Sequence, residues 1–120
     1  MRVVLDTNIL VDYFRGVALA KDEIKLHDQV VISIITWMEL LVGARSEEEE
    51  RIIRAYLNRF QIYPVSNEVA DQAIALRKQH RIRLPDAIIW GTAKALGTLL
   101  VSRNTRDFPA EDPSIRVPYR

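Results

Sequence analysis

Four acidic residues of this chain each stand beside an apolar run: Asp6 in "VVLDTN", Glu39 in "SIITWMELLVGAR", Asp86 in "RLPDAIIW" and Asp107 in "LLVSRNTRDF". Carboxylates gathered into one cleft repel and raise one another's pKa, so such a cluster persists only where a cation or a proton compensates it. The chain has no cysteine, and His27 and His80 are its two histidines. The ligands would therefore be oxygens and the cation a hard one, Mg²⁺ or Mn²⁺ rather than zinc. Such ions serve phosphoryl chemistry: they bind nonbridging oxygens, generate hydroxide near neutral pH and stabilise the leaving oxygen. A glycine-rich phosphate cradle is missing, because Gly16, Gly43, Gly91 and Gly97 form no Walker-type or dinucleotide pattern. Direct hydrolysis of a phosphodiester, with Arg103 or Arg106 near the phosphate, fits this inventory best.

Whether the four acids meet depends on the elements that carry them. "RVVLD", "QVVISII", "QIYPV", "TLLVS" and "SIRV" are short, strand-like runs rich in apolar residues. Helical patterns lie between them. In "SEEEERIIRAYLNRF", Ile53, Tyr56, Leu57 and Phe60 share a face, Ser46 can cap, and Glu47 to Glu50 suit the positive end of the helix dipole. "NEVADQAIALRKQH" has Asn67 as the expected cap and Val69, Ala73 and Leu76 on one face. "LPDAIIWGTAKALG" is apolar almost all round, with Pro85 in its first turn and Gly97 after its end, and reads as a buried helix. Strands alternating with helices, several of them continuously apolar, predict an α/β fold. Its sheet would be central and parallel, of about five strands, with helices on both faces, in one domain spanning residues 1–120.

In such a fold the ligand site lies beyond the carboxyl ends of the strands, near the point where strand order reverses. Asp6 closes the first strand, with Thr7 and Asn8 placed to hold it by hydrogen bonds. Glu39 is expected in the first turn of the helix after "VVISI". Ser102, Asn104 and Asp107 follow "TLLV", and Asp86 opens the buried helix. Each position also has a purely structural explanation. Asp6 could form an Asx turn. Glu39 falls about 200° from Trp37 at roughly 100° per residue, off the stripe of Trp37, Leu40, Leu41 and Ala44, and could simply be solvated. Asp86 could serve the helix dipole. Upstream, Arg77, Lys78, His80, Arg81 and Arg83 could track a phosphate backbone or form a solvated helix end. Trp37 and Trp90 are expected in the core rather than at an interface.

The overall charge is nearly balanced, 17 basic against 16 acidic residues for a net +1, so nucleic-acid binding would be local rather than spread over the surface. The basic set is mostly arginine, which suits two-pronged contacts to carboxylate or phosphate. No apolar run approaches the roughly 18 residues of a membrane span, and Asp6 interrupts the N-terminal stretch too early for a signal-peptide core. A soluble, cytoplasmic protein is expected, and the lack of cysteine suits a reducing compartment.

"LDTNIL", "SIITWMELLVGA", "RLPDAIIWGTA" and "LLVSRNTRDF", in that order, resemble the PIN-domain nucleases, and within them the VapC-type toxins of toxin–antitoxin pairs. The resemblance implies a Mg²⁺-dependent endoribonuclease, with Mn²⁺ able to substitute. It further implies a homodimer that inhibits growth when free and is silenced by a VapB-like antitoxin whose C-terminal segment enters the active-site groove. Carried over by position, the family acids fall on Asp6, Glu39 and Asp86, and the fourth acidic position on Asn104 or Asp107. Asp6 and Asp86 would hold the metal, Glu39 and Asp107 would complete the acidic pocket, and Asn8, Ser102 and Asn104 would orient it. Where some relatives carry Asp, this chain has Asn104, and an amide binds a hard cation more weakly than a carboxylate. Two rivals stand beside this reading. Aspartyl-phosphate chemistry of the haloacid dehalogenase type needs a second Asp at position 8, which is Asn here. A degenerate PIN domain serving as a scaffold would bind no metal.

Overall fold

A computed structural model describes residues 2–120. Five strands, β1 (Arg2–Leu5), β2 (Gln29–Ser33), β3 (Gln61–Tyr63), β4 (Leu99–Val101) and β5 (Ile115–Arg116), form one sheet in the order β3-β2-β1-β4-β5. All four pairings are parallel. The expected α/β architecture is therefore present. Strand order reverses at β1, which has β2 and β3 on one side and β4 and β5 on the other. Val4, Val31 and Leu100 face one layer, while Val3, Leu5, Ile32 and Val101 face the other, and all seven are fully buried. Alternate residues of each central strand thus serve two separate cores, so these strands read as unbroken apolar runs.

Helices cover both faces. One layer holds α5 (Asn67–His80) and α6 (Leu84–Leu96), packed with Phe108 against the sheet. The opposite layer is built from α1 (Thr7–Phe14), α2 (Ala18–Leu26), α3 (Ile34–Val42) and α4 (Glu47–Leu57). α6 is the buried helix its composition predicts: Ala87, Ile89, Trp90, Gly91, Thr92 and Ala93 are all shielded, and Gly97 ends it in the left-handed conformation at φ 66°. Trp90 is core, and its indole Nε1 donates to Ser114 Oγ at 2.9 Å, which satisfies its polar atom. Trp37 is half-buried against the other core, with the Arg54 guanidinium 5.0 Å above its ring.

Three sequence expectations are corrected. The cap of α5 is Ser66, whose Oγ accepts from the Val69 amide at 3.2 Å, and Asn67 is the first helical residue. Ser outcompetes Asn here because its hydroxyl reaches the orphan amide three residues on. The α4 pattern extends past the helix, which stops at Leu57, so Phe60 packs from the following turn. Glu39 stands in the second turn of α3, because that helix starts immediately after Ser33, whose Oγ caps it by accepting from the Ile35 amide at 3.0 Å. α1 and α2 occupy most of the connection between β1 and β2.

Candidate active site

Asp6 is one residue beyond β1, at the strand-order reversal, and is 4% exposed. Its backbone amide donates to Val101 O at 2.9 Å, continuing the ladder to β4 and fixing where the side chain begins. The carboxylate is held from both ends: the Thr7 amide donates to Oδ1 at 2.8 Å and Ser102 Oγ to Oδ2 at 2.7 Å. Asp6 is thereby also the N-cap of α1, so its orientation belongs to the fold as well as to any ligand. Ser102 occupies the corresponding position after β4 and is fully buried.

Thr7 does more than supply an amide. Its hydroxyl joins Thr36 Oγ1 at 3.0 Å and Glu39 Oε1 at 2.8 Å, linking the start of α1 to α3. This contact draws Glu39, an exposed residue, toward the Asp6 edge, and no apolar spacing in the sequence signals it. Asp86 arrives from the opposite layer as the third residue of α6 and is 7% exposed. Arg83, whose side chain is 79% exposed, extends Nη2 to 3.3 Å from Asp86 Oδ2.

After Ser102 the chain turns through a polar loop. The Asn104 amide N–H donates to Ser102 Oγ at 3.0 Å, and Asn8 Nδ2 approaches the same oxygen at 3.4 Å. Asn104 and Asp107 close on each other: Asn104 Nδ2 donates to Asp107 Oδ2 at 2.9 Å and Asn104 Oδ1 accepts from the Asp107 amide at 3.3 Å. The Asn104 side chain therefore orients Asp107, and it reaches Asp6 only through its backbone and Ser102. A cleft of about 350 Å³ opens here, lined by Asn8, Arg103, Asn104, Thr105, Arg106 and Asp107. Arg106 is exposed at this cleft. Arg103 lines it too, but its guanidinium is bound by Asp12.

The electrostatics link the acids across the two layers. Burial pushes the Asp6 pKa up to about 6, and the charges of Asp86 and Glu39 add to that rise against the hydrogen bonds from Ser102 and Thr7. The Asp86 pKa is also raised, first by burial, then by Asp107 and Glu39, with Arg83 opposing. Both carboxylates thus sit where a positive charge is wanted. Among the described residues no three His, Cys, Asp or Glu side chains already form a metal cage. Asp6 and Asp86 nonetheless suit a hard divalent ion, since the surrounding donors are oxygens and Asn8 Oδ1 is buried nearby without a hydrogen-bond partner. A cation there would supply Lewis-acid activation of water and phosphate. The protein's own part is to aim Asp6 through Thr7 and Ser102, to tie Glu39 to Thr7, and to brace Asp107 with Asn104.

Comparison with known proteins agrees with the fold. Residues 3–110 match the PIN domain family. The chain is 28% identical to Ribonuclease VapC10 of Mycobacterium tuberculosis over 115 residues, covering 89% of this chain and 86% of that protein. It is 29% identical to the tRNA(fMet)-specific endonuclease VapC of Shigella flexneri over 119 residues, covering 90% of each. A chain from a toxin–antitoxin complex of Klebsiella pneumoniae superimposes with a TM-score of 0.91 at 42% identity, with 98% of both chains covered. With its parallel sheet, its acids at the carboxyl edge and the match over nearly its whole length, the chain belongs to the PIN domain family.

Proposed function

We propose that this protein is the toxin of a toxin–antitoxin pair, a metal-dependent endoribonuclease that hydrolyses RNA phosphodiester bonds and halts growth when its antitoxin is absent. The observation that carries the reading is Asp6: a buried carboxylate at the sheet's reversal point, held by two hydrogen bonds and raised in pKa by burial and two further acids. Asp6 and Asp86 hold Mg²⁺, for which Mn²⁺ can substitute. Glu39 and Asp107 complete the acidic pocket and orient water, while Arg106 meets RNA phosphate. Water and a phosphodiester yield a phosphomonoester on one fragment and a hydroxyl on the other. The relatives named as a ribonuclease and a tRNA-specific endonuclease support RNA as the substrate.

The toxin–antitoxin likeness supports a VapB-like partner. Its C-terminal segment has a place to lie: a groove of about 550 Å³ runs between α1, α3 and α4, with Val11, Phe14 and Ile52 as apolar walls, and reaches Glu39 at the acidic edge. A homodimer in the cytoplasm is the working state. No helix among the described residues is long and apolar enough to cross a membrane, in keeping with that location.

Sequencing of RNA ends after brief expression in cells tests the reading. New 5′ ends at defined sites, together with growth arrest, are expected for the native chain and for neither Asp86→Asn nor native chain co-expressed with its antitoxin. Equal cleavage by Asp86→Asn contradicts the site assignment. A scaffold without catalysis gives no new ends from either protein.

A further inference from the structure

Two buried carboxylates lie outside the acidic pocket, Asp12 on α1 and Glu23 on α2. Each receives a two-nitrogen arginine fork from the second half of the chain. Arg103 Nε and Nη2 donate to Asp12 Oδ2 and Oδ1 at 2.5 and 3.0 Å, and the Tyr119 hydroxyl donates to Oδ2 at 2.8 Å. Arg116 Nε and Nη2 donate to Glu23 Oε2 and Oε1 at 2.7 and 2.9 Å, with His27 Nε2 2.6 Å from Oε2. A carboxylate turned into the core is tolerated only where its lone pairs are met, and planar guanidinium forks meet them best. Accordingly both acids are held below the usual carboxylate range, chiefly by their arginines.

The two ties differ in what they hold. Arg116 lies on β5, where the parallel ladder to β4 already holds its backbone. Arg103 directly follows Ser102, whose hydroxyl donates to Asp6 and accepts from the Asn104 amide. The loop is anchored behind by the Ser102 amide on Arg116 O at 3.0 Å, and ahead by buried Phe108, whose amide donates to Asn104 O at 3.2 Å. Between these anchors the Asp12–Arg103 fork ties the loop to α1, whose first turn carries Thr7 and Asn8. Tyr119, which closes the fork, lies beyond the residues matched by the PIN family.

We propose that Asp12 is a positioning residue for RNA cleavage: through Arg103, and braced by Tyr119, it fixes the Ser102–Asn104 backbone so that Ser102 Oγ stays on Asp6. This rests on the nuclease reading. Arg103 then acts on the site through its backbone, and its guanidinium is not the phosphate contact.

The test uses the full chain in steady-state RNA cleavage, thermal unfolding, and amide hydrogen exchange of the metal-free protein. Asp12→Asn and Arg103→Lys should each lower kcat about 10-fold or more with KM within about twofold, since small misplacements near reacting groups cost rate rather than binding. Exchange across residues 102–107 should quicken in both, and the double variant should be no slower than the worse single one. Glu23→Gln, which breaks the matching tie while the β4–β5 ladder still holds the Arg116 backbone, should lower Tm and leave kcat and loop exchange unchanged. Tyr119→Phe should lower kcat by about threefold as one brace of the network is lost.

Wild-type kcat in Asp12→Asn overturns the proposal, as does an equal kcat loss in Glu23→Gln. So does a raised KM with unchanged kcat in Arg103→Lys, which would make Arg103 a substrate contact. Should Asp12→Asn fail to fold, Tyr119→Phe decides, and unchanged kcat and exchange there count against it. If the native chain cleaves no RNA, the nuclease reading has failed. Loop exchange in the variants then still decides: quickened exchange supports the tie, and unchanged exchange overturns it.

Discussion

Asp6 combines two demands that oppose each other. As the N-cap of α1 and the acceptor of two hydrogen bonds it is favoured as a carboxylate, yet burial and the neighbouring acids favour its protonated form and win, raising its pKa from 3.8 to about 6. A group that binds protons more tightly in the folded state than in the unfolded state makes stability fall as pH rises between those two values. For the metal-free protein the loss runs from about pH 4 to about pH 6 and is on the order of 3 kcal/mol. Asp12 and Glu23 act in the opposite direction. Their folded pKa values are depressed, so their contribution is present above the unfolded values and lost only as pH falls further. Asp6→Asn removes the Asp6 titration and leaves theirs. Urea unfolding in chelator at pH 4 and pH 7 should therefore show wild type losing stability relative to Asp6→Asn as pH rises. A difference that stays constant with pH would show that Asp6 titrates normally. Excess Mn²⁺ should stabilise wild type at pH 7 and leave Asp6→Asn unmoved.

At the scale of elements, the close approach of α5 and α6 fixes where Asp86 enters the site. Gly91 makes that approach possible: a Cβ there would stand 3.0 Å from both the Ala73 nitrogen and the Val69 oxygen, backbone atoms that cannot swing aside. Gly91→Ala should force the helices apart and destabilise the protein by about 1–3 kcal/mol in denaturant unfolding. An unchanged midpoint would mean that the helices separate at no cost. The same scale shows what the sequence made legible. The five strands, α6 and its end at Gly97 were readable because apolar runs, a proline in the first turn and a left-handed glycine are local signals. α1 and α2 were missed although Ile9, Leu10, Tyr13 and Phe14 keep helical spacing. Asp12 falls between them in sequence, about 60° outside their stripe at 3.6 residues per turn, and is buried all the same. Its partners Arg103 and Tyr119 stand 91 and 107 residues away, so nothing near it in sequence explains an acid on a buried face. Glu39 stands a turn later than its expected place, because Ser33 both ends β2 and caps α3. An acid inside an otherwise apolar helical stretch is the available signal, since such a residue, once buried, requires a distant cation.

For the molecule as a whole, strand order is what brings the elements carrying the four acids toward one edge of the sheet, where the proposed pocket lies. With β1 central and β4 beside it, Asp6 and Ser102 end adjacent strands, α3 brings Glu39 from one layer and α6 brings Asp86 from the other. The sequence pointed to this edge through the rule that ligands gather where parallel strand order reverses. It did not reveal the Thr7 link to Glu39 or the Asp12 tie, because each joins side chains whose meeting depends on packing rather than spacing. The most direct measurement is cleavage of purified RNA by the purified full chain with Mg²⁺, with and without chelator, beside Asp6→Asn. Internal cleavage that requires the metal, stops with chelator and falls at least about 1000-fold in Asp6→Asn is the predicted result, since the carboxylate proposed to hold the metal is lost. Cleavage that persists in chelator, or an Asp6→Asn protein as active as wild type, would contradict the account.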